Sequence, residues 1–258
     1  MPTRHGPLLP TLLLVLAFGF GTRTDSCISQ ENGTLTITIN GAPPVEGSGK
    51  TATEDRKVEG FQRVHARNAV RVVVAVTGTE SATVEADDNL LPLVQTTVVD
   101  GTLHVRVKGS LKTRNPLRVR IAAKQLEGLT AESSAMVSSQ DPKGEALAMS
   151  ASSSGRVTAN DVDAKQLKVS VSSSGIVTAD GRADRQEIEA SSSGRYEGSK
   201  LVSRTSSVTC SSSARTVLHA TEEVRGSVSS SGSVRYSGSP GKVAVSTSSS
   251  GSVQAAGK

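Results

Sequence analysis

A five-residue segment, Ala151-Ser152-Ser153-Ser154-Gly155, recurs through the second half of the chain and constrains the fold more than any other feature. Near copies of it end in a glycine or alanine at positions 135, 155, 175, 194, 214, 232 and 251, which lie 20, 20, 19, 20, 18 and 19 residues apart. A fixed period of this kind is typical of repeat proteins, in which each repeat is one unit stacked on the next. The second half of the chain is therefore expected to form a stack of similar units.

Apolar and polar residues alternate within each repeat. The residue six places before the glycine or alanine is apolar in every copy except at Gly226, and the residue two places after it is mostly valine. Alternation with a period of two is typical of strands. A repeat of about 19 residues is too short for a propeller blade and lacks the leucine and asparagine spacing of a leucine-rich repeat. The predicted fold class is therefore all-β, a single-stranded parallel β-helix with about 19 residues per coil.

The serine run is expected to have two roles in such a coil. Its middle residue shares the parity of the apolar columns, which predicts a buried ladder of hydroxyls that bond to one another from coil to coil. The ladder would consist of Ser153, Ser173, Ser192, Ser212, Ser230 and Ser249. The flanking serines would face outward, and the glycine would form a corner with positive φ, so Ala214 predicts one strained or differently shaped corner.

The rest of the chain divides by composition. Residues 1–26 have the pattern of a signal peptide, with a basic start and an apolar run, 8–20, that is too short to span a bilayer. Residues 27–49 are polar and contain several glycines and prolines, which predicts a flexible tether with one short strand at 34–39. The β-helix would occupy residues 50–258, with irregular N-terminal coils over 50–128 and serine-glycine coils over 129–258. No transmembrane segment is expected in the mature chain.

The irregular coils are expected to contain strands without serines. Alternating apolar residues predict them at 61–65, 70–76, 82–85, 103–107 and 117–121. These strands would close one end of the core, as a solenoid requires.

The two cysteines permit different interpretations. Cys27 follows the signal and is a candidate for lipidation, although Asp25 and the missing leucine depart from a lipoprotein signal. Cys210 lies in a column of small apolar residues, which favours a buried thiol. A Cys27–Cys210 disulfide would be permitted in an oxidising compartment, but nothing in the spacing supports it.

Four segments ahead of the serine coils resemble a known family. They begin at Val58, Val84, Asp100 and Leu126, and the most specific part is Asp87-Asp88-Asn89-Leu90-Leu91-Pro92. Over about residues 45–258 the chain resembles the "putative auto-transporter adhesin head GIN domain" family. The resemblance implies an exported bacterial protein, in the periplasm, the outer membrane or at the cell surface, with a right-handed parallel β-helix. The family name suggests adhesion.

Because β-helices include polysaccharide lyases and hydrolases, paired acids in the coils are the first candidates for catalysis. Asp161 with Asp180, and Asp163 with Asp184, are expected near each other on adjacent corners. Acids at corners more often form turns than catalyse reactions.

The other polar candidates are weaker still. None of His65, His104 and His219 is near a Gly-x-Ser-x-Gly elbow. Asp87 and Asp88 lack further oxygen ligands at regular spacing and are expected to cap the turn at Asn89. The chain is therefore predicted not to be an enzyme, and no cofactor or metal ion is predicted.

The net charge of +5 gives the chain a basic character. Arg156, Arg195 and Arg215 each stand one place after the glycine or alanine, and they are expected to stack into a basic stripe that attracts anionic envelope or surface glycans. The alternative is a solvated face that prevents aggregation. Nucleic acid is not expected as a partner of an exported chain without a recognition motif.

The sequence therefore predicts an exported, non-catalytic envelope protein, an adhesin-like or scaffolding β-helix. Two alternatives are a polysaccharide-active enzyme, supported by fold analogy alone, and an ice-binding surface of outward serines. No cap is evident after Val253, so the edge of the last coil is predicted to pair with a second copy and form a homo-oligomer.

Overall fold

The computed structural model describes residues 26–256, which consist almost entirely of β-strands. The N-terminal strands are β1 (Ser26–Glu31), β2 (Thr34–Ile39), β3 (Val45–Glu46), β4 (Thr51–Arg56), β5 (Arg63–Ala66), β6 (Arg71–Val76), β7 (Ser81–Asp87), β8 (Val94–Val99), β9 (Thr102–Val107), β10 (Leu111–Thr113) and β11 (Arg118–Ala123). The remaining strands are β12 (Gly128–Ala131), β13 (Met136–Gln140), β14 (Lys143–Ala151), β15 (Arg156–Val171), β16 (Ile176–Ala190), β17 (Arg195–Cys210), β18 (Arg215–Val228), β19 (Ser233–Gly238), β20 (Lys242–Thr247) and β21 (Ser252–Ala255). One 3-10 turn, Leu91–Leu93, is the only helical element of the described residues.

Strands β12 to β21 stack in parallel as a β-solenoid, which confirms the predicted fold class. The solenoid has about 6 turns of roughly 20 residues each. In β15 the alternation of buried and outward side chains slips at Asp161 and again at Lys165 and Gln166. Each slip marks a corner, because adjacent outward residues break the pleat. Together with the serine turn, the two corners divide the coil into three faces, 156–160, 162–164 and 167–171.

The serine turns differ from the prediction, because two serines in each turn have positive φ. Ser153 has φ +49° and Ser154 has φ +65°, and the other turns repeat these values closely. Alternation stops in such a turn, so the parity that predicted a buried middle serine does not apply. The hydroxyl ladder is therefore wrong: the exposed residues include Ser153, Ser173, Ser192, Ser212, Ser230 and Ser249.

The middle serines form a ladder through their main chain instead. The N–H of Ser154 donates to the carbonyl of Ser173 at 3.2 Å, and the N–H of Ser213 donates to the carbonyl of Ser230 at 3.0 Å. Equivalent bonds connect every pair of adjacent serine turns from Ser134 to Ser249. The coils are thus bonded to one another through the turns as well as through the strands.

The glycine of the repeat is needed for close packing, and not for positive φ. A Cβ atom on Gly155 would lie 2.1 Å from the carbonyl oxygen of Ala131 in the preceding coil, and Gly155 is absent from the positive-φ residues. Ala214 nevertheless keeps the same turn, with φ +53° at Ser212 and +65° at Ser213. The hydrogen bond that closes the turn lengthens to 3.1 Å at Ala214, against 2.8 Å at Gly155. The alanine is accommodated by this small opening, so the predicted differently shaped corner is wrong.

The N-terminal strands end the stack by changing direction. Strand β5 pairs in parallel with β12, and β6 pairs in parallel with β13, so both continue the coils. Beyond them, β7 lies antiparallel to β11, β4 antiparallel to β7, and β8 antiparallel to β9. The predicted closure of this end is therefore present, but antiparallel strands as well as coils provide it.

The segment 27–49 is not the flexible tether predicted from its composition. Strands β1 and β2 form an antiparallel hairpin, and β2, β10 and β3 complete a four-stranded sheet. The buried carboxylate of Asp87 accepts a hydrogen bond of 2.6 Å from the hydroxyl of Thr113 and so connects this sheet to β7. The predicted strand at 34–39 is β2 itself.

A large side chain interrupts the otherwise narrow interior of the solenoid. Tyr196 is fully buried, and its hydroxyl donates to Oε1 of Gln186 at 3.0 Å. The amide of Gln186 donates in turn to the hydroxyls of Ser203 and Ser206. Gly198 makes room for the ring, because a Cβ there would lie 2.3 Å from the Tyr196 hydroxyl. Burial raises the pKa of Tyr196, so the phenol remains a donor.

We expect Gly175→Ala to lower the free energy of unfolding by about 1–3 kcal/mol, because the new Cβ would lie 2.3 Å from the Ala151 carbonyl oxygen. Ala214→Gly, at the same place in another coil, should change it by less than about 1 kcal/mol. Urea unfolding followed by circular dichroism measures both. Equal losses would contradict the argument from close packing.

We expect Tyr196→Phe to cost about 1–3 kcal/mol, because the buried Gln186 oxygen loses its donor. Tyr236→Phe is the matched control, since the Tyr236 hydroxyl has no hydrogen bond within residues 26–256. Its effect should stay within about 0.5 kcal/mol. The same unfolding measurement checks both variants, and a harmless Tyr196→Phe would overturn the assigned network.

Candidate interaction surface

An exposed line of hydroxyls runs along one edge of the solenoid. We call it the serine ridge, and it consists of the two positive-φ serines of each turn, all exposed except the half-buried Ser133 and Ser134: Ser133, Ser134, Ser153, Ser154, Ser173, Ser174, Ser192, Ser193, Ser212, Ser213, Ser230, Ser231, Ser249 and Ser250. None of these hydroxyls bonds to another group within residues 26–256. Successive turns are spaced by about 4.8 Å, as adjacent strands are. The ridge therefore presents unsatisfied donors and acceptors to solvent at a regular interval.

A second line of hydroxyls lies on the face that precedes each serine turn. We call it the hydroxyl column, and its members are Thr130, Ser150, Ser170, Thr209, Ser227 and Ser246. Glu189 interrupts it between Ser170 and Thr209. Hydroxyls thus cover the edge on this side of the turn also.

The predicted basic stripe lies on the other side of the serine ridge. Arg195 and Arg215 are directly paired across β17 and β18. Arg156 occupies the same column but is separated from Arg195 by Ile176. The structure therefore brings two of the three predicted residues together and places the third two coils away, about 9.6 Å along the axis.

Two further arginines belong to this column and were missed from the sequence. Met136 pairs with Arg156 on one side and with Arg71 on the other. Arg71 pairs in turn with Arg118. The five form what we call the arginine column: Arg118, Arg71, Arg156, Arg195 and Arg215. Asn68 and Ala69 have the same positive φ as the serine pairs, so Arg71 follows a turn of the same type. No serine marks that turn, which is why its arginine was overlooked.

Most of the arginine column is free of ion pairs. Among the described residues, Arg71, Arg156 and Arg215 make none, and the contact from Arg195 to Glu197 is long, at 3.8 Å. Arg118 alone has a carboxylate at 3.4 Å, that of Glu85. An anionic partner would therefore find guanidinium groups that need not first release a protein carboxylate.

The face opposite the ridge carries charges that neutralise one another. Along the axis, Glu145, Lys165, Asp184, Arg204 and Glu222 alternate in sign. Lys165 contacts Glu145 at 2.8 Å, and Arg204 contacts Glu222 at 2.8 Å. The shallow groove at this face has a volume of about 610 Å³, but its charges are largely satisfied internally.

In each of the two predicted acid pairs, one carboxylate makes a structural contact. The carboxylate of Asp180 accepts the main-chain N–H of Asp161 at 2.6 Å, which stabilises a corner. Arg182 donates twice to Asp163, at 2.9 and 2.7 Å, and its hydrogen bonds hold the pKa of that carboxyl below its usual range. A glycosidase acid needs the opposite shift. Asp163 therefore lacks the raised pKa of a glycosidase acid, and Asp180 is engaged by a main-chain N–H.

The remaining polar candidates are also accounted for. Asp88 accepts the N–H of Asn89 at 2.7 Å, as predicted, whereas Asp87 bonds instead to Thr113. The Nδ1 atom of His219 lies 3.1 Å from the hydroxyl of Ser237, but no carboxylate within residues 26–256 contacts this histidine. The rings of His65 and His104 make a tilted contact, with centroids 5.3 Å apart and an interplanar angle of 54°.

The two cysteines do not pair with each other, so the disulfide alternative is wrong. Both are free thiols, with Cys27 exposed on β1 and Cys210 buried in the solenoid. Burial raises the pKa of Cys210, which makes its thiol unreactive. Lipidation of Cys27 stays a prediction, and the predicted signal peptide, residues 1–26, lies outside the described residues except for Ser26.

The described part of the chain has neither a membrane-spanning helix nor a metal-binding cluster. Between residues 26 and 256, no helix is long and apolar enough to cross a membrane. In the same range, no group of three or more His, Cys, Asp or Glu side chains is placed to hold a metal ion.

Solved structures with the same architecture include proteins from Bacteroides and Parabacteroides species. A protein from Bacteroides fragilis described as a putative adhesin superposes with a TM-score of 0.75 at 23% identity, covering 82% of this chain and all of its own. Two proteins from Parabacteroides distasonis, described as a putative lipid binding protein and a putative adhesin, give TM-scores of 0.70 and 0.65 at 21% and 19% identity. Each covers 83% of this chain and 100% of its own length. At these identities the likeness establishes the fold alone.

Sequence comparison gives a more specific result. No protein of curated function is significantly similar to the chain. The family model described as "Putative auto-transporter adhesin, head GIN domain" matches residues 60–240, which include much of the capped end and most of the serine turns. The chain therefore belongs to this adhesin head family.

Proposed function

We propose that the protein is exported and acts, without catalysis, as an adhesin-like β-helix that binds anionic glycan polymers along the serine ridge and the arginine column. Membership of the adhesin head family and the signal-like pattern of residues 1–26 support export to the bacterial envelope or surface. The observation that carries the proposal is the position of unpaired arginines directly beside an exposed, uncharged line of hydroxyls.

The chemistry of the two features is complementary. Ridge hydroxyls can donate to and accept from sugar hydroxyls, and each has both capacities free. Guanidinium groups bind carboxylate and sulfate through paired N–H donors. Both repeat along the solenoid axis, so an extended polymer would meet many weak contacts in succession, which increases the overall affinity.

The face on which positive and negative side chains alternate is a less suitable site for such a polymer. Its cations already contact carboxylates of the neighbouring coils, as Arg182 contacts Asp163. A polymer would have to replace these ion pairs. The arrangement favours the ridge side as the binding surface.

The arginine column can be tested with a glycan array on residues 28–258. Replacing Arg156, Arg195 and Arg215 by serine should weaken binding to uronate-containing or sulfated glycans by at least about tenfold at low salt. The matched control replaces Lys168, Arg185 and Arg225 by serine, which removes the same charge from exposed positions on another face.

Loss of binding in the first variant with retention in the control would support the proposed surface. Equal losses of binding in both variants would show that binding depends on net charge and not on the arginine column. Absence of binding by the unmodified protein at low salt would overturn the glycan-binding function.

The open end of the last coil supports a second role, self-association into longer rods. Val243 lies in the inward column that contains Leu167 and Val224, yet it is 44% exposed. Within residues 26–256, β20 pairs only with β18, and β21 only with β19, so both have an unpaired edge. We propose that these edges pair with a second copy.

Light scattering over a range of concentrations tests this proposal. The protein should form dimers or larger species at high concentration, and Val243→Lys should shift it toward monomer by placing a charge on the exposed end of the core. Val202→Lys is the control, because Val202 is equally exposed, at 45%, on the side of the solenoid. A monomer at all concentrations would exclude the assembly.

A further inference from the structure

The hydroxyl column changes its chemistry at the capped end of the solenoid. Where the hydroxyl column reaches β5, β9 and β8, the residues in register with Thr130 are His65, His104 and Thr97. Imidazoles thus replace the serines of the coils. The change is confined to the N-terminal strands, which points to a distinct local function.

A parallel change takes place in the line formed by the first serine of each turn, which lies between the hydroxyl column and the serine ridge. In the coils, the first serine of each turn follows the hydroxyl column, and in the first turn this place is Glu132. Toward the cap, the adjoining side chains are Arg67, Arg106 and Gln95, with Gln95 directly paired to Arg106. Guanidinium groups therefore stand beside the two imidazoles.

These side chains surround a concave site. A cavity of about 310 Å³ is lined by His65, Arg67, Thr97, Val99, His104, Val105 and Arg106. An adjoining cavity of about 410 Å³ shares Arg67 and Arg106. We call the smaller cavity the basic cleft, and its size is suited to a small organic molecule.

The charges around the basic cleft are not balanced. Glu132 is its nearest carboxylate and is engaged by Arg67 at 2.6 Å, with His65 at 3.4 Å. Arg106 makes no ion pair within the described residues, and its one hydrogen bond, from Nε to Gln95, leaves both terminal nitrogens available. The cleft therefore has a free guanidinium that can bind an anion.

The imidazoles are held in a defined arrangement. Arg67 donates from Nε to Nε2 of His65 at 3.2 Å, and Oε1 of Glu132 lies 3.4 Å from the same nitrogen. Burial lowers the pKa of His65, and Glu132 opposes the shift. The ring of His104 is tilted by 54° to that of His65, with the two centroids 5.3 Å apart. Val99, which is 53% exposed, adds an apolar contact at the rim.

We propose that the basic cleft binds a sugar acid of monosaccharide size. Its carboxylate would pair with Arg106, while its hydroxyls would bond to Thr97 and to the imidazoles. Its C–H face would pack on Val99. This site does not depend on the function proposed above, because none of its lining residues belongs to the arginine column or the serine ridge.

The small number of histidines makes the test direct. The chain has 4 histidines, so the imidazole signals of His65 and His104 can be assigned in an NMR spectrum by single replacements. D-glucuronate should shift both signals with a saturable dependence in the millimolar range, roughly as expected for so small a ligand. His219 lies in a distant coil and should not respond.

Arg106→Gln should weaken glucuronate binding by about tenfold or more, because the carboxylate loses its partner. Arg235→Gln is the matched control, since Arg235 is exposed and makes no ion pair within residues 26–256. Its dissociation constant should equal that of the unmodified protein.

Two further probes identify the ligand class: D-glucose, which lacks the carboxylate, and acetate, which lacks the sugar ring. D-glucose should bind much more weakly than glucuronate if the carboxylate is required, and acetate much more weakly if the sugar ring is required. Glucose or acetate binding as tightly as glucuronate would overturn the proposal. So would the absence of any shift, or unchanged binding in Arg106→Gln.

Discussion

Main-chain hydrogen bonds between successive coils are the interaction on which the whole structure depends. In most solenoids such bonds are expected in the strands, but here they also pass through the serine turns, from Ser134 to Ser249. The turn supports this only because two adjacent residues take positive φ, which costs about 1–2 kcal/mol for each non-glycine residue. Burying the following glycine against the carbonyl of the preceding coil brings the turns close enough to bond. The exposed serine side chains are thus a consequence of how the main chain packs.

The constraint also explains where the charges lie. Inward positions are narrow and mostly apolar, so the charged side chains of the coils lie on an outer face or at a corner. On the face with Glu145 and Lys165, opposite signs alternate between coils, which favours the native register over one shifted by a single coil. Beside the serine turns the arginines have few carboxylate partners. One coil therefore carries a self-neutralising side and a side open to external anions.

Much of the fold could be predicted from the sequence, because the spacing of the repeats shows which residues of successive coils lie in register. The columns through Val169 and Val208 follow from the 19 to 20 residue spacing alone. The serine turn could not be predicted in the same way, since parity holds only while the chain stays extended and Ser153 and Ser154 do not. The hairpin β1–β2 was mistaken for a tether because its residues are mostly polar and its partner, β10, is distant in sequence.

The candidate site was less predictable than the fold. Arg195 and Arg215 were placed correctly relative to each other because both follow a recognisable turn, whereas Arg71 follows Asn68 and Ala69, which share the conformation without the serines. His65 and His104 are 39 positions apart in the chain, and the pairing of β5 with β9 that unites them has no repeat to announce it. Sequence periodicity thus locates residues that recur in every coil, whereas the contacts within the non-repeating cap are known only from the structure.

The equivalence of the serine turns has an evolutionary consequence. Because each turn bonds to the next in the same way, an in-frame deletion between Gly155 and Gly175 would join matching columns and shorten the rod by one step of about 4.8 Å. The coils that share Tyr196, Gln186 and Ser203 are different, since removing one would leave buried polar groups without partners. Changes in length should therefore accumulate outside this interior network, which acts as a fixed point while the rest of the rod is free to grow or shrink.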